Sequence, residues 1–562
     1  MYMTNNRLLT TDDLSSKQIV ATVIGLFVTI GLLVYGYSVL TNEFVDFDDT
    51  LLIIDNISVL QAGRFSSVLW AFGHYDPELY IPLTFLSFQF DAVIAGLNPI
   101  MFHLDNLVQH IVNALLITWI LKMLFKRLDI AVILGLFFLV HPLNTEAVAW
   151  ASGRKDLFSS LFFFASIAMY VQFRESSNKK FHWASLSLFI LGLFAKISIA
   201  PLPVVLLLID WLSERSLNLK SIWQKKAYFI ATIPLGLIAL LGKDEVLARS
   251  STETVFLLIP ETILFYTQKI LLPIHLSILY PYVHADVTLA NPKLVTSIAV
   301  VIIATALLWM KRNKVPAAAV GFAIAITMLV PSFFQYFRGS EIYLATDRYM
   351  YGPFLGVVMM LVPVLIWCMK KRQKVTLVVC GIIIIICGAL SFQRASVWQN
   401  TYTLFMDSTK TADTFGAYEK IGVWLLRNGR NQEAVEALKK SIEISPNSAA
   451  YFRLGIAAME AGNREDAILF TEESLRLSPE NSQSLTNMSK FYWDDGDIVK
   501  AIEYAEHAVE LHPWSEMALG NLASMYTLTG DKEKALIIIN QMLDVYPNNK
   551  RTGPLLRKLE EE

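Results

Sequence analysis

Three stretches of this chain gather acids and bases inside otherwise apolar surroundings. The first, Phe44-Val45-Asp46-Phe47-Asp48-Asp49, directly follows a long apolar segment. Carboxylates this close to a bilayer surface are costly unless solvated or employed. Asp48 and Asp49 therefore read either as a hydrated turn or as working acids. The second stretch carries His141-Pro142-Leu143-Asn144-Thr145-Glu146 and then Gly153-Arg154-Lys155-Asp156. A histidine, two acids and two bases within 16 residues fit a polar cavity, and fit a satisfied structural network equally well. Lys196 ends an apolar segment, where a lysine can snorkel to the membrane surface. The third stretch, Thr346-Asp347-Arg348-Tyr349-Met350-Tyr351, offers Arg348 as a phosphate clamp or a lipid-headgroup anchor.

The elements that hold these residues are mostly membrane helices. Hydrophobic residues make up 54% of the 562 and charged residues only 17%, against about a quarter in soluble proteins. A helix needs about 20 apolar residues to cross the hydrocarbon core. Eleven segments qualify as candidate spans, at about 19–40, 102–124, 130–143, 157–173, 183–197, 198–212, 227–242, 294–310, 316–334, 351–369 and 375–392. The first is expected to be an uncleaved anchor. Cys368, Cys380 and Cys387 lie in the last apolar segments and read as packing residues.

Loop charge gives an orientation. With the N-terminus inside, the cytoplasmic loops hold Lys126-Arg127, Arg174 with Lys179-Lys180, Arg215 to Lys226, Lys311-Arg312-Asn313-Lys314 and Lys370-Lys371-Arg372-Gln373-Lys374. All are basic, as positive-inside behaviour requires. The alternate loops, about 41–101, 141–156, 243–293 and 335–350, are longer and carry more of the acids. Eleven spans leave the C-terminal part outside, in a periplasm, the extracellular space or an organelle lumen.

That C-terminal part is periodic. Pro446, Pro479, Pro513 and Pro547 recur at 33 or 34 residues, and Gly429, Gly462, Gly496 and Gly530 keep step with Ala434, Ala467, Ala501 and Ala535. A permissive glycine at a turn and a small alanine at a helix contact, repeated at this spacing, match the tetratricopeptide repeat. From Phe415 to Glu562 there are 23 acidic and 16 basic residues, so this part is acidic while the apolar part is basic. The expected layout is a membrane domain over 1–393, a connector over 394–413, four repeats over 414–548 and a capping helix over 549–562. Stacked repeats form a concave groove suited to a peptide or protein partner. No nucleic-acid partner is expected.

In order and spacing the chain resembles the transmembrane and tetratricopeptide repeat-containing proteins and their bacterial relatives, within the multispan GT-C glycosyltransferases. The resemblance rests on Asp48-Asp49 with Ile53 and Asn56, Tyr80 with Pro82-Leu83-Thr84, and Gly96-Leu97 with Pro99. It continues through Phe102-His103-Leu104, Asn106, His110, His141-Pro142 and Thr145-Glu146-Ala147-Val148. Gly153-Arg154, Asp156, Lys196 and Asp347-Arg348-Tyr349-Met350-Tyr351 complete it, and Arg394 and Trp398 lead into the repeats. The chain departs from the family pattern at Ile81, where an arginine is expected, and at Ile197, where an acid often stands. The fold implied is all-α, a GT-C-like bundle of about eleven spans followed by a repeat solenoid.

The resemblance implies transfer of a sugar, typically mannose, from a polyprenyl-phosphate donor in the bilayer to a protein hydroxyl on the outer face. It implies Asp48 or Asp49 as the base. His141, Glu146, Arg154, Asp156, Lys196, Asp347, Arg348 and Tyr349 are the expected substrate-binding residues. A phosphate leaving group needs no general acid, unlike an alkoxide, so one carboxylate suffices and inversion at C1 is expected. No cofactor is expected. Asp48, Asp49 and Glu146 would be the ligands if a divalent metal took part, as in oligosaccharide-transferring relatives. No Gly-rich nucleotide loop stands in the sequence to suggest a nucleotide-sugar donor. The rival reading is a non-catalytic membrane scaffold whose repeats dock envelope proteins.

Overall fold

The computed structural model describes residues 16–75, 79–216, 218–241, 252–282, 287–333, 337–338, 341–546 and 549–561. The chain forms two compact units, Met1–Leu404 and Phe405–Glu562.

The first unit is a helix bundle. Its main helices are α1 (Ser16–Thr41), α2 (Pro82–Ala95), α3 (Pro99–Phe125), α4 (Leu128–Val140), α5 (Arg154–Ser176) and α6 (Lys179–Ala195). They continue with α7 (Leu202–Glu214), α8 (Lys226–Leu241), α9 (Thr252–Leu271), α10 (Pro292–Lys311), α11 (Pro316–Leu329) and α12 (Phe354–Val397). Local chemistry sets several starts. The Asn98 and Asn291 side chains accept the amides two residues on, and each precedes a proline at the first helical position. A three-stranded antiparallel patch of Pro281–Tyr282, Glu341–Tyr343 and Phe337–Arg338 is the sheet among the described residues.

Contacts define two ends of this bundle. At one end Asn42, just past α1, donates to Ala149 O and Ala395 O at 3.4 Å each. There Thr84 donates to Ala195 O at the end of α6, Tyr75 to Ile238 O in α8, and Ser391 of α12 to Val140 O of α4. At the other end Lys126 pairs with Glu175, and Asp210 takes Lys225 and Arg174. The basic loops at 126–127, 174–180 and 215–226 fall at this second end. Apolar side chains such as Leu33 and Ile385 stand more than 70% exposed on the flanks, as lipid-facing residues do.

Among the described residues, seven helices are long and apolar enough to cross a membrane, or eight if the bent pair Leu128–Val140 and Pro142–Ala149 counts as one span. The shorter apolar helices Pro82–Ala95, Lys226–Ile238 and Pro316–Ser332 stand beside these, so helix length alone does not decide against the expected eleven. The segment at 183–197 lies largely in the 17-residue α6 and that at 316–334 gives an apolar stretch of 17 residues, both at the short limit for crossing, while the segment at 227–242 runs past the described residues. The segments at 351–369 and 375–392 fall on the two helical halves of α12, which meet at a kink at Arg372 (φ −150°, ψ 70°). The loop expected over 243–293 holds α9, which passes the length test. Its contacts nevertheless stay at one end of the bundle. Glu261 meets Lys293 at the head of α10, Tyr266 donates to Thr346 O, and Ile270 O meets His141.

The second unit consists of four helix pairs: Phe415–Arg427 with Asn431–Ile444, Ser448–Glu460 with Arg464–Leu477, Ser482–Asp494 with Ile498–Leu511, and Glu516–Thr529 with Lys532–Val545. Thr552–Glu561 forms a final helix. Gly429, Gly462, Gly496 and Gly530 all take φ between 71° and 82°, a region that strains any residue with a Cβ. Ala434, Ala467, Ala501 and Ala535 are fully buried at the pair contacts. Thr414, Asn447, Asn481 and Ser515 cap the first helix of each pair by accepting the amide three residues on. The marker Pro547 lies outside the described residues.

Candidate active site

The site lies at the first end of the bundle. The chain leaves α1, turns at 46–49 and enters a short π-helical stretch, Thr50–Ile54. Leu52 and Ile53 anchor that stretch in an apolar cluster with Ile81, Phe85, Phe88 and Phe102. Ile81, where the family pattern has an arginine, is thus a core residue in this chain.

The two adjacent aspartates have different surroundings. Asp49 is fully buried. Its Oδ2 accepts the Val45 amide at 2.9 Å, and its Oδ1 accepts the Ser152 amide at 2.9 Å and the Ser152 hydroxyl. Burial pushes its carboxyl up to about 6, against these hydrogen bonds, and the charge of Asp48 adds to the rise. Asp48 keeps about a third of its side chain exposed and holds Lys155 Nζ at 2.9 Å. One aspartate ties the first loop to the second, and the other faces out.

The second loop supplies the rest through a compact turn. A Cβ at Gly153 would stand 2.4 Å from Ala147 O, so only glycine lets the chain double back here. Lys155 Nζ lies over the Trp150 ring at 5.2 Å, and Arg348 Cζ lies over the same ring at 5.0 Å. Glu146 receives the Arg348 guanidinium and, at 3.2 Å, the Arg348 amide. Arg348 is held charged more firmly than usual: its burial opposes the charge, and Glu146 and Tyr349 outweigh that. Lys196 Nζ stands 2.5 Å from Asp156 and 5.8 Å from the Tyr349 ring centre. Asp156, Lys196, Arg348 and Tyr349 line one cleft together with Ser160 and Ser332.

Other expected site residues are committed elsewhere. Arg154 is fully buried away from this cleft. It pairs with Asp91 and Asp105, donates to Asn106 Oδ1 at 2.9 Å and to Phe102 O at 2.7 Å, and so locks α2, α3 and α5 together. His141 accepts the Leu143 amide at Nδ1 and lies 3.1 Å from Ile270 O at Nε2, which fixes its proton on Nε2 and makes it a brace. Asp347 Oδ1 accepts the Tyr280 hydroxyl at 2.8 Å, while its buried Oδ2 makes no hydrogen bond. Burial, with the Glu146 charge second, pushes its carboxyl up to about 7.

As metal ligands, Asp48, Asp49 and Glu146 do not form a set. Asp49 is spent on Ser152 and Val45, Glu146 on Arg348, and Asp48 on Lys155. Among the described residues no three His, Cys, Asp or Glu side chains stand where they could share an ion. Sequence reading had Asn106 only among the residues of the resemblance, without a site role, and missed Trp150, Ser152 and Asp91. Of these three only Trp150 had a signal, as the one tryptophan between the two charged parts of its loop.

Residues 419–482 and 482–513 match tetratricopeptide repeat families. Curated relatives include the protein O-mannosyl-transferases TMTC1, TMTC2, TMTC3 and TMTC4. The chain is similar to human TMTC1 at 35% identity over 25% of this chain and 16% of that one. It is similar to human TMTC4 at 33% identity over 26% of this chain and 24% of that one. The chain thus spans no more than about a quarter of the length of these relatives. MamA, whose crystal structure is solved, matches at 20% identity over 26% of this chain and 86% of that one, with a TM-score of 0.23.

Proposed function

We propose that this chain is a membrane glycosyltransferase that moves mannose from a polyprenyl-phosphate carrier to a serine or threonine hydroxyl of a protein. The observation that carries this reading is one partly exposed carboxylate, Asp48, paired with Lys155 and acting by its charge on Arg348, which lines a cleft with Lys196. The relatives named as O-mannosyl-transferases support the same chemistry.

The reaction follows from charge. Asp48 takes the proton of the acceptor hydroxyl as its oxygen attacks C1 of the sugar, on the side opposite the phosphate. The new C1–O bond forms as the C1–O bond to phosphate breaks, so configuration inverts. The electron pair leaves on the phosphate oxygen, and the added charge is met by Arg348 and Lys196. Lys155 holds Asp48 in place. Asp49 is the strut beneath the base, because both its oxygens are already occupied.

Orientation belongs to this proposal too. The basic loops at 126–127, 174–180 and 215–226 gather at the end away from the site, which supports a cytoplasmic N-terminus and a site on the periplasmic or lumenal face. Helix α12 ends at Val397, where Trp398 stacks on Trp150, and the repeats follow in sequence. The repeats then serve as the acceptor-binding module.

The test is transfer in membranes from a polyprenyl-phosphate mannose donor to a protein acceptor and to a short peptide. Wild type should transfer to both, and Asp48→Asn should lose about 100-fold or more. Removing 415–562 should abolish protein transfer and spare the peptide. A wild type without transfer, or Asp48→Asn at full rate, overturns the reading and leaves the scaffold role.

A further inference from the structure

We propose that Trp150 is a positioning residue that couples the base side of the site to its phosphate side; this rests on the reaction proposed above. Trp150 is fully buried, yet its indole Nε1 makes no hydrogen bond. Buried tryptophans ordinarily satisfy that N–H, so the ring is held here for its face. Two cations lie over the ring, Lys155 at 5.2 Å and Arg348 at 5.0 Å. Lys155 is the partner of the base Asp48, and Arg348 lines the phosphate cleft.

Two like charges around one ring repel. The negative faces of an indole attract both and offset that repulsion where water is scarce. The ring itself cannot drift. Phe47, next to Asp48, packs at 5.2 Å between ring centres, and Trp398 stacks at 5.9 Å. Its carbonyl accepts Asn106 Nδ2 at 2.8 Å, and Asn106 is gripped in turn by Arg154. The buried Arg154 network is therefore the footing on which this ring stands. A shift of Trp150 moves Lys155, and with it Asp48, together with Arg348.

The experiment uses the full chain in nanodiscs, with Trp150→Leu, Trp150→Phe, and Phe189→Leu as a control. Phe189 is an equally buried ring in α6. Trp150→Leu should lower kcat at least about 10-fold and raise the donor KM, with the acceptor KM unchanged. Trp150→Phe keeps an aromatic face and should stay within about 3-fold of wild type. Phe189→Leu should lower the melting temperature without changing the balance of kcat and KM. The inference is overturned if Trp150→Leu keeps the wild-type kcat, falls no further than Phe189→Leu, or is matched by Trp150→Phe. If wild type transfers no sugar, the proposed reaction fails separately. Binding of polyprenyl phosphate alone then decides for Trp150: weakening in Trp150→Leu but not in Phe189→Leu supports it, and equal binding overturns it.

Discussion

The two units place similar ion pairs in opposite surroundings. In the bundle, Arg154 and Asp91 meet with neither side chain exposed to solvent. In the repeats, Arg476 and Glu473 meet at 2.8 Å with side chains 64% and 34% exposed. Desolvation makes a buried pair costly to assemble and worse to break, because one partner's loss strands a charge. A surface pair is screened by water and holds little. The repeats therefore owe their form to small residues and caps. The site end of the bundle owes its form to charges that only each other can satisfy.

The largest effect should come from stranding a charge. Arg154→Met leaves the buried Asp91 without this partner and removes the grip on Asn106. It should destabilise the bundle by about 3–5 kcal/mol, read as a collapse of the melting transition in detergent. A variant that melts like wild type would mean that this network is no keystone, and the contrast with the repeats would fall.

Asp49 gives the next effect, with a definite sign. Its folded pKa is raised to about 6, so the stability it contributes is full below the ordinary aspartate value and is lost as pH rises through 6. Asparagine at this position cannot titrate. The stability of wild type relative to Asp49→Asn should fall by about 3 kcal/mol between pH 3 and pH 7, at 1.36 kcal/mol per unit. A flat difference would show that Asp49 is ionised as readily as in the unfolded chain.

A middle-sized effect tests the other side of the comparison. Ala434 is fully buried where two repeat helices touch. Ala434→Leu forces them apart and should cost about 1–3 kcal/mol in the repeat unit, leaving transfer to a short peptide intact. Loss of peptide transfer would show that the units do not act separately.

These same physical differences decide what could be read from the sequence. The repeats were legible because glycine at each turn and alanine at each contact recur at a fixed step along the chain. The membrane character was legible from hydropathy. Span number was less so, because α6 and α11 are short and the two halves of α12 meet at Arg372 with no loop between them. Within the site, Asp156, Lys196, Arg348 and Tyr349 share a cleft, while Arg154, His141 and Asp49 carry structure. Residue type could not separate these roles. Each depends on a partner 40 to 200 residues away, as with Lys196 and Asp156 or Arg348 and Glu146, and such pairings leave no local pattern.

The smallest effect is the sharpest check on the comparison. Arg476 and Glu473 sit three residues apart on one repeat helix, within reach of each other whether or not the unit is packed. Folding thus adds little to their attraction, and water screens most of the rest. Arg476→Ala should change the stability of the repeat unit by no more than about 0.5 kcal/mol, and raising salt should leave the difference unchanged. The same arginine chemistry is asked for up to tenfold more at Arg154, and only burial distinguishes the two. A large, salt-sensitive loss on Arg476→Ala would show that the repeats also lean on their charges, and the division of labour between the two units would have to be redrawn.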